Sequence, residues 1–412
     1  MKKIQYYLYV LLIAFLSIIY AGCNHRDKQP APLLLISFDG FRYDYFDKTE
    51  TPNFNNFIDS GIKAEGLISV FPTKTFPNHY SIATGLYPEN SGLISNNMYD
   101  SGMDEYYSIR DREAVENPEW YKGEPIWNTV EKNGLNAGTL FWVGSEAPVQ
   151  NMRPTFWKKY DGGFPETARI DTVVQWFTRE DTNKVDFATL YYSDVDTKGH
   201  IYGTESDSLV AAIENADRLM GYLKTRLEEA GLWGKINIII VSDHGMADLS
   251  DKRVIYIDEL IDLGRVRMID WTPVAMFNPD QDYLDEVVAI LKENESQGFR
   301  VFKKENLPER YHLKNNPRTP DVIMIADTGY TITTKARYPS FVANLPSATH
   351  GYDNYEKIMY GIFLASGPGF KNGETVEPFE NIHIYALMTE LMGIDPAPND
   401  GSSEVFKEVL KK

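Results

Sequence analysis

With 412 residues, 43% of them hydrophobic and 13% aromatic, the chain can bury a large core as one big domain or two smaller ones, which excludes a disordered polypeptide. Its net charge of -18 excludes a nucleic-acid backbone as the main partner, because such partners are met by basic surfaces. Acidic side chains in this number are available to hold cations instead.

At the N-terminus, Lys2 and Lys3 precede an apolar run from Tyr6 to Ala21 and then Ala21-Gly22-Cys23, the three parts of an export signal. The small-small-Cys ending has the form of a lipobox. Residues 1–23 therefore read as a bacterial lipoprotein signal peptide, with Cys23 lipidated and anchoring the chain in the cell envelope, facing the periplasm or the cell surface. A plain membrane anchor and an unmodified signal peptide are the alternatives. Cys23 is the only cysteine, so no intramolecular disulfide can form. Residues 24–32, which include His25, read as a polar tether, and residues 33–412 as the folded domain.

Leu33 to Phe38 is an apolar strand ending on Asp39-Gly40. Thr51 to Ile62 has helical spacing, with Phe54, Phe57, Ile58 and Ile62 on one side. Gly66 to Phe71 is a second short strand, followed by a turn and a helix that together carry Thr73 to Ser81. A helix is expected at Pro125 to Asn133, a strand at Asn136 to Val143 and an amphipathic helix at Thr167 to Thr178, with a Trp/Tyr/Gly-rich surface loop before the last of these. Phe187 to Ser193 is a strand leading into Asp194 to His200, and Ser206 to Leu232 is the longest helical pattern. Asn237 to Val241 is an uninterrupted apolar run, as expected of a parallel strand buried on both faces, and it stops on Asp243-His244. Between about 265 and 334 the texture changes to a small α/β unit laid onto the main sheet. The chain closes with a strand at Ile358 to Ala365 and a helix at Ile382 to Met392. This alternation predicts an α/β sandwich with a largely parallel central sheet and a small α/β insertion.

Functional groups in such sheets stand beyond the carboxyl ends of the strands. There the sequence places Asp39, Asp196 with His200, Asp243 with His244, and His350. Three Asp and three His make two sets of three, a ligand chemistry that suits zinc or a related first-row metal in a two-metal site. Thr75 stands at a strand-to-helix turn, where a threonine is either an N-cap or, with a metal to lower its hydroxyl pKa, a nucleophile. His79 has no acidic neighbour in the sequence, and His312 and His383 have no motif around them. All three are read as structural or surface residues.

Phe38-Asp39-Gly40-Phe41-Arg42, Pro72-Thr73-Lys74-Thr75-Phe76-Pro77-Asn78-His79-Tyr80, Gly85 to Glu89, Asp196-Thr197-Lys198-Gly199-His200, Ser242-Asp243-His244-Gly245-Met246 and His350-Gly351-Tyr352-Asp353 resemble, in order, the nucleotide pyrophosphatase/phosphodiesterase family of the alkaline phosphatase superfamily. The resemblance implies an alkaline-phosphatase-like fold and two zinc ions, one held by Asp39, Thr75, Asp243 and His244, the other by Asp196, His200 and His350. It marks Thr75 as the nucleophile and Asn96 as a donor to a phosphoryl oxygen, with Asn97 the adjacent candidate. Phe76 and Tyr160 match the family's aromatic clamp on a nucleobase, and Tyr191 a further pocket aromatic. Glu146-Ala147-Pro148 matches nothing in the family pattern.

The expected activity is metal-dependent hydrolysis of phosphodiester or pyrophosphate bonds in nucleotides and their derivatives through a phosphothreonine intermediate. No Arg stands within the Thr75 motif, which favours singly charged diesters over monoesters. A choline-type glycerophosphodiester, a lysolipid or a phosphonate is the alternative substrate, because aromatic rings also bind quaternary ammonium groups. A lipid-tethered binding protein without activity is the alternative from another class. A sulfatase is disfavoured, since no cysteine outside the signal is available as its modified nucleophile.

Overall fold

The computed structural model describes residues 30–338 and 347–411. The apolar run, Cys23 and most of the tether lie outside the described residues. In chain order, the elements that build the framework are β1 (Leu33–Phe38), α1 (Pro52–Asp59), β2 (Gly61–Ala64), α2 (Thr75–Thr84), α3 (Ile126–Lys132), β3 (Ala137–Leu140), β4 (Phe156–Lys158), α4 (Glu166–Phe177), β5 (Phe187–Tyr192), α5 (Asp194–Tyr202), α6 (Asp207–Glu229) and β6 (Asn237–Val241). They continue with β7 (Val266–Asp270), β8 (Val274–Pro279), α7 (Leu284–Glu293), β9 (Phe299–Lys303), β10 (Val322–Ala326), β11 (Phe363–Ser366), β12 (Glu374–Val376) and α8 (His383–Met392).

Eight strands form the central sheet in the order β12-β2-β11-β6-β1-β5-β3-β4. Every neighbouring pair is parallel except those made by β11, which runs antiparallel to both β2 and β6. Successive residues of a strand point to opposite faces, and β1 is buried throughout and apolar at every position but Ser37, so it feeds two cores. Leu34, Ile36 and Phe38 pack with side chains of α1, α4 and α6 on one face. Leu33 and Leu35 pack with Ile82, Trp127 and Leu387 of α2, α3 and α8 on the other. The result is the expected sandwich, with β1, β5 and β6 side by side at its centre. Their carboxyl ends open on one edge, where the site forms.

Several elements differ from the sequence reading: of Gly66 to Phe71 only Leu67–Ile68 is strand, paired with Phe379–Glu380 outside the main sheet, and the strand expected at Ile358 to Ala365 begins at Phe363, after a 3-10 turn at Lys357–Met359. Helical spacing from Thr51 to Ile62 stops at Asp59, because Gly61 and Ile62 pair with Ser366 and Ala365 of β11 and are drawn into the sheet. A Cβ on Gly61 would stand 2.1 Å from the Ala365 carbonyl oxygen, so the strands approach this closely only with glycine there. The segment between 265 and 334 is not hydrogen-bonded to the main sheet. It forms its own four-stranded antiparallel sheet, β7-β8-β10-β9, carrying α7. Arg300 and Arg310 of this unit both bind Asp353, at 2.9 Å and 2.5 Å, just past His350. Among the described residues, no helix is long and apolar enough to cross a membrane.

Candidate active site

Asp39 follows β1 directly. Gly40 beyond it has φ +68°, and a Cβ there would lie 2.8 Å from the Asp196 Cα. Glycine thus serves the turn and also admits the start of α5, whose Asp196 N–H donates to the Asp39 carbonyl at 3.1 Å. Asp196 and His200 sit one turn apart on α5, so both side chains face the same way. Asp243 and His244 follow β6. Ala247-Asp248 beyond them pairs antiparallel with Ala348-Thr349, and this ladder carries His350 to His244. Their rings stack 3.4 Å apart at 13°.

The six ligand candidates therefore converge, and three carboxylate oxygens show what the cluster is built for. Asp39 Oδ1, Asp196 Oδ1 and Asp243 Oδ2 are buried without a hydrogen-bond donor among the described residues. Imidazole nitrogens face them: His244 Nε2 stands 2.9 Å from Asp243 Oδ2 and 3.5 Å from Asp39 Oδ1, while His200 and His350 Nε2 lie 3.3 Å and 3.7 Å from Asp196 Oδ1. In each of these histidines Nδ1 is already committed to a backbone carbonyl: Ala348 for His200, Gly245 for His244 and Thr73 for His350, at 2.8–2.9 Å. Such bonds fix the tautomer and turn the Nε2 lone pair toward the carboxylates.

The ionisable groups of the cluster perturb one another strongly. Burial, with Asp243 and Asp196 beside it, pushes the Asp39 carboxyl well above its ordinary range. Burial also opposes ionisation of Asp243, but His244 and His79 hold it well below. Burial and the adjacent His244 push His350 well below the usual imidazole range, so it is neutral and presents a lone pair to Asp196. Asp196 and Asp243 in turn raise His200 and His244 against the cost of burying them, and a set of buried carboxylates and imidazoles with their ligand atoms turned to one another fits divalent cations with mixed oxygen and nitrogen ligands.

Thr75 is the first residue of α2. Lys74 precedes it in extended conformation and no side chain caps the helix, so the threonine is not an N-cap. Its Oγ1 lies 3.2 Å from His244 Nε2. The Phe76 N–H donates to Asn96 Oδ1 at 3.1 Å, and the Asn96 amide nitrogen has no hydrogen-bond partner among the described residues. Asn97 instead donates to Asp270 at 3.1 Å, so of the two asparagines Asn96 is the one at the site.

Beside the cluster is a cavity of about 260 Å³. Phe76, Tyr160 and Tyr191 all line it, together with Asp39, Thr75 and Asp196. Tyr191 does more than pack, since its hydroxyl donates to Asp39 Oδ2 at 2.6 Å. Phe141 takes φ +66° at the cavity wall, a strained backbone for an aromatic residue, and packs edge-on against Tyr160 at 5.4 Å.

The structure also adds residues that the sequence left aside. His79 is fully buried with Nδ1 3.3 Å from Asp243 Oδ2 and Nε2 2.8 Å from the Ser37 hydroxyl, so the reading that it lacks an acidic neighbour is corrected. The partner comes from a strand end 164 positions away, beyond the reach of a local pattern. Glu146 reaches the cavity, pairs with Arg112, and accepts from the Tyr160 N–H at 3.2 Å. Arg42 turns away from Thr75 toward Met246 and Asp44. His312 stacks on Tyr87 and His383 accepts from the Ser402 N–H, both in structural settings.

Comparison with known proteins agrees with this geometry. The family model for type I phosphodiesterase / nucleotide pyrophosphatase matches residues 33–353. The chain belongs to this family. It is 37% identical to venom phosphodiesterase CdcPDE of Crotalus durissus collilineatus over 392 residues, 93% of this chain and 47% of that protein. It is 34% identical to human ectonucleotide pyrophosphatase/phosphodiesterase family member 5 over 406 residues, 98% of this chain and 83% of that one. Murine ectonucleotide pyrophosphatase / phosphodiesterase 5, solved as an inactive variant in complex with AMP, superimposes with a TM-score of 0.88 at 32% identity, covering 92% of this chain and all of that one. The family member thus spans about half the length of the venom relatives that it matches.

Proposed function

We propose that the protein is a two-zinc phosphodiesterase that hydrolyses nucleotide diesters and pyrophosphates, with Thr75 as its nucleophile. One observation carries this reading above the others. The Thr75 hydroxyl, used by no helix cap, stands 3.2 Å from His244 Nε2 beside three buried carboxylate oxygens that lack donors among the described residues.

Asp39, Asp243, His244 and Thr75 would hold one ion, and Asp196, His200 and His350 the other. When bound, the ions supply the positive charge that lowers the Thr75 hydroxyl pKa and neutralises phosphoryl oxygens. Thr75 oxygen forms a bond to phosphorus as the bond to the leaving group breaks, and that group departs as an alcohol or phosphate. A water oxygen then forms a bond to phosphorus from the opposite face as the Thr75–phosphorus bond breaks, and a proton from the water restores the Thr75 hydroxyl and frees the enzyme. Because Asn96 is held by the Phe76 N–H through its carbonyl, its amide N–H groups, unpartnered among the described residues, can donate to the phosphoryl oxygen as charge develops. The α2 N-terminus adds its positive dipole end at the same place.

Two features favour a nucleotide diester. Phe76 and Tyr160 line one cavity and offer flat faces to a base. Among the described residues lining it, Arg112 is the only cation, and Glu146 pairs with it, so no free charge is left for the second negative charge of a monoester. The murine relative was solved in complex with AMP, a nucleotide monoester, which supports the nucleotide part of this reading. For the N-terminus, we propose export and lipid anchoring at Cys23, with the catalytic domain held at the envelope surface.

A panel of nucleotide diesters, pyrophosphates, glycerophosphocholine and monoesters, assayed with and without a chelator, tests the reading. Turnover should be greatest on the nucleotide substrates, vanish with chelation and return with zinc. Turnover unaffected by removing metal would sink it, and a preference for glycerophosphocholine would replace the nucleotide by a choline ester.

A further inference from the structure

We infer that Asp270, from the small antiparallel sheet, is a positioning residue that sets the nucleophile and the phosphoryl-oxygen donor relative to each other. This inference rests on the phosphodiesterase reading above and gives the unit between 265 and 334 a part in it.

Asp270 ends β7 and is 4% exposed. Both of its carboxylate oxygens are used twice. Oδ2 accepts from Lys74 Nζ at 2.6 Å and from the Ser95 hydroxyl, while Oδ1 accepts from Asn97 Nδ2 at 3.1 Å and from the Trp271 N–H at 2.9 Å. Three of these four donors are immediate neighbours of the reacting groups. Lys74 precedes Thr75, and Ser95 and Asn97 stand on either side of Asn96. A single buried carboxylate therefore grips the chain just before the nucleophile and on both sides of the donor, while the Phe76 N–H to Asn96 bond joins the two gripped segments from within.

The same contact fixes the role of Lys74. Its ammonium is as buried as its partner, at 7% and 5% side-chain exposure, and is turned to Asp270 rather than to the phosphoryl position. A lysine next to the nucleophile thus acts as a tie to the second sheet. Removing one partner of an ion pair buried in this way leaves the other charge uncompensated, so the two side chains stay together. Misplacement of reacting groups by about 1 Å from a distant change can cost on the order of 100-fold in rate.

The test compares steady-state kinetics of the wild type, Asp270→Asn and Asn97→Ala on a nitrophenyl ester of a nucleoside monophosphate, with metal content and thermal unfolding measured on each. Asn97→Ala frees one side of Asn96 while leaving the Lys74 ion pair intact, so it decides the matter if Asp270→Asn does not fold. The expected result is a fall in kcat of about 10- to 100-fold for Asp270→Asn and about 10-fold for Asn97→Ala, with KM within about threefold and metal content unchanged. A folded variant with wild-type kcat, or one whose loss is all in KM or in bound metal, overturns the positioning role alone. A wild type that turns over no phosphodiester overturns the hydrolase reading and the positioning role with it.

Discussion

Thr75 Oγ1 and His244 Nε2 stand 3.2 Å apart although 169 positions separate them in the chain. One begins a helix and the other follows the buried strand β6, so the contact exists only when the sheet is assembled. It places a hydroxyl that no backbone group among the described residues uses against an imidazole whose other nitrogen is tied to Gly245. Replacing Thr75 by Ala should lower kcat by at least about 1000-fold with bound metal retained, and Asn96→Ala by about 100-fold. Kinetics paired with metal analysis check this. Near-wild-type turnover by a metal-loaded Thr75→Ala protein would exclude a covalent route through this residue.

The aromatic wall should act on binding of the base and leave the chemical step alone. Phe76→Ala or Tyr160→Ala is expected to raise KM for nucleotide esters by about 10-fold or more, since stacking of one base on one ring is worth about 1–3 kcal/mol. A small diester without a base, such as a bis-nitrophenyl phosphate, should be affected far less. Equal losses on both substrates would assign these rings to structure.

Asp353 makes a pH prediction. Burial raises the cost of its charge, but Arg310 and Arg300 outweigh this and hold the carboxyl below its ordinary value, with the Tyr311 hydroxyl adding a bond at 2.8 Å. A carboxyl whose folded pKa lies below its unfolded one stabilises the fold above the unfolded value, near pH 4, and loses that contribution as pH falls through the folded value. Asp353→Asn should therefore lower stability by about 1–3 kcal/mol at neutral pH, with the difference from wild type shrinking below about pH 4. Chemical denaturation at pH 7 and pH 3 would measure it. A gap that widened in acid would contradict the assignment.

The framework was legible because its strongest signals are local. Leu33 to Phe38 and Asn237 to Val241 are apolar at almost every position, and only a strand buried on both faces needs that, so their carboxyl ends pointed to Asp39, Asp243 and His244 before any contact was known. Motif order supplied the rest of the ligand candidates. What the sequence hid is long-range. Gly61 and Ile62 continue a helical pattern and yet join the sheet, because pairing with β11 outweighs local spacing. His79 looks unpartnered until β6 brings Asp243 to it, and nothing near Lys74 in the sequence announces Asp270, which arrives from another sheet, 196 positions on. Glu146 was unreadable for the same reason, since its partners Arg112 and Tyr160 come from separate segments lining one cavity.

The central claim is that Thr75 forms a covalent bond to phosphorus, and the configuration at phosphorus tests it most directly. Each in-line displacement inverts that centre, so two in succession restore it. Hydrolysis of a chiral phosphorothioate diester of known configuration in isotopically labelled water should give net retention. Net inversion would mean a single displacement by water and would contradict the assignment of Thr75 as nucleophile.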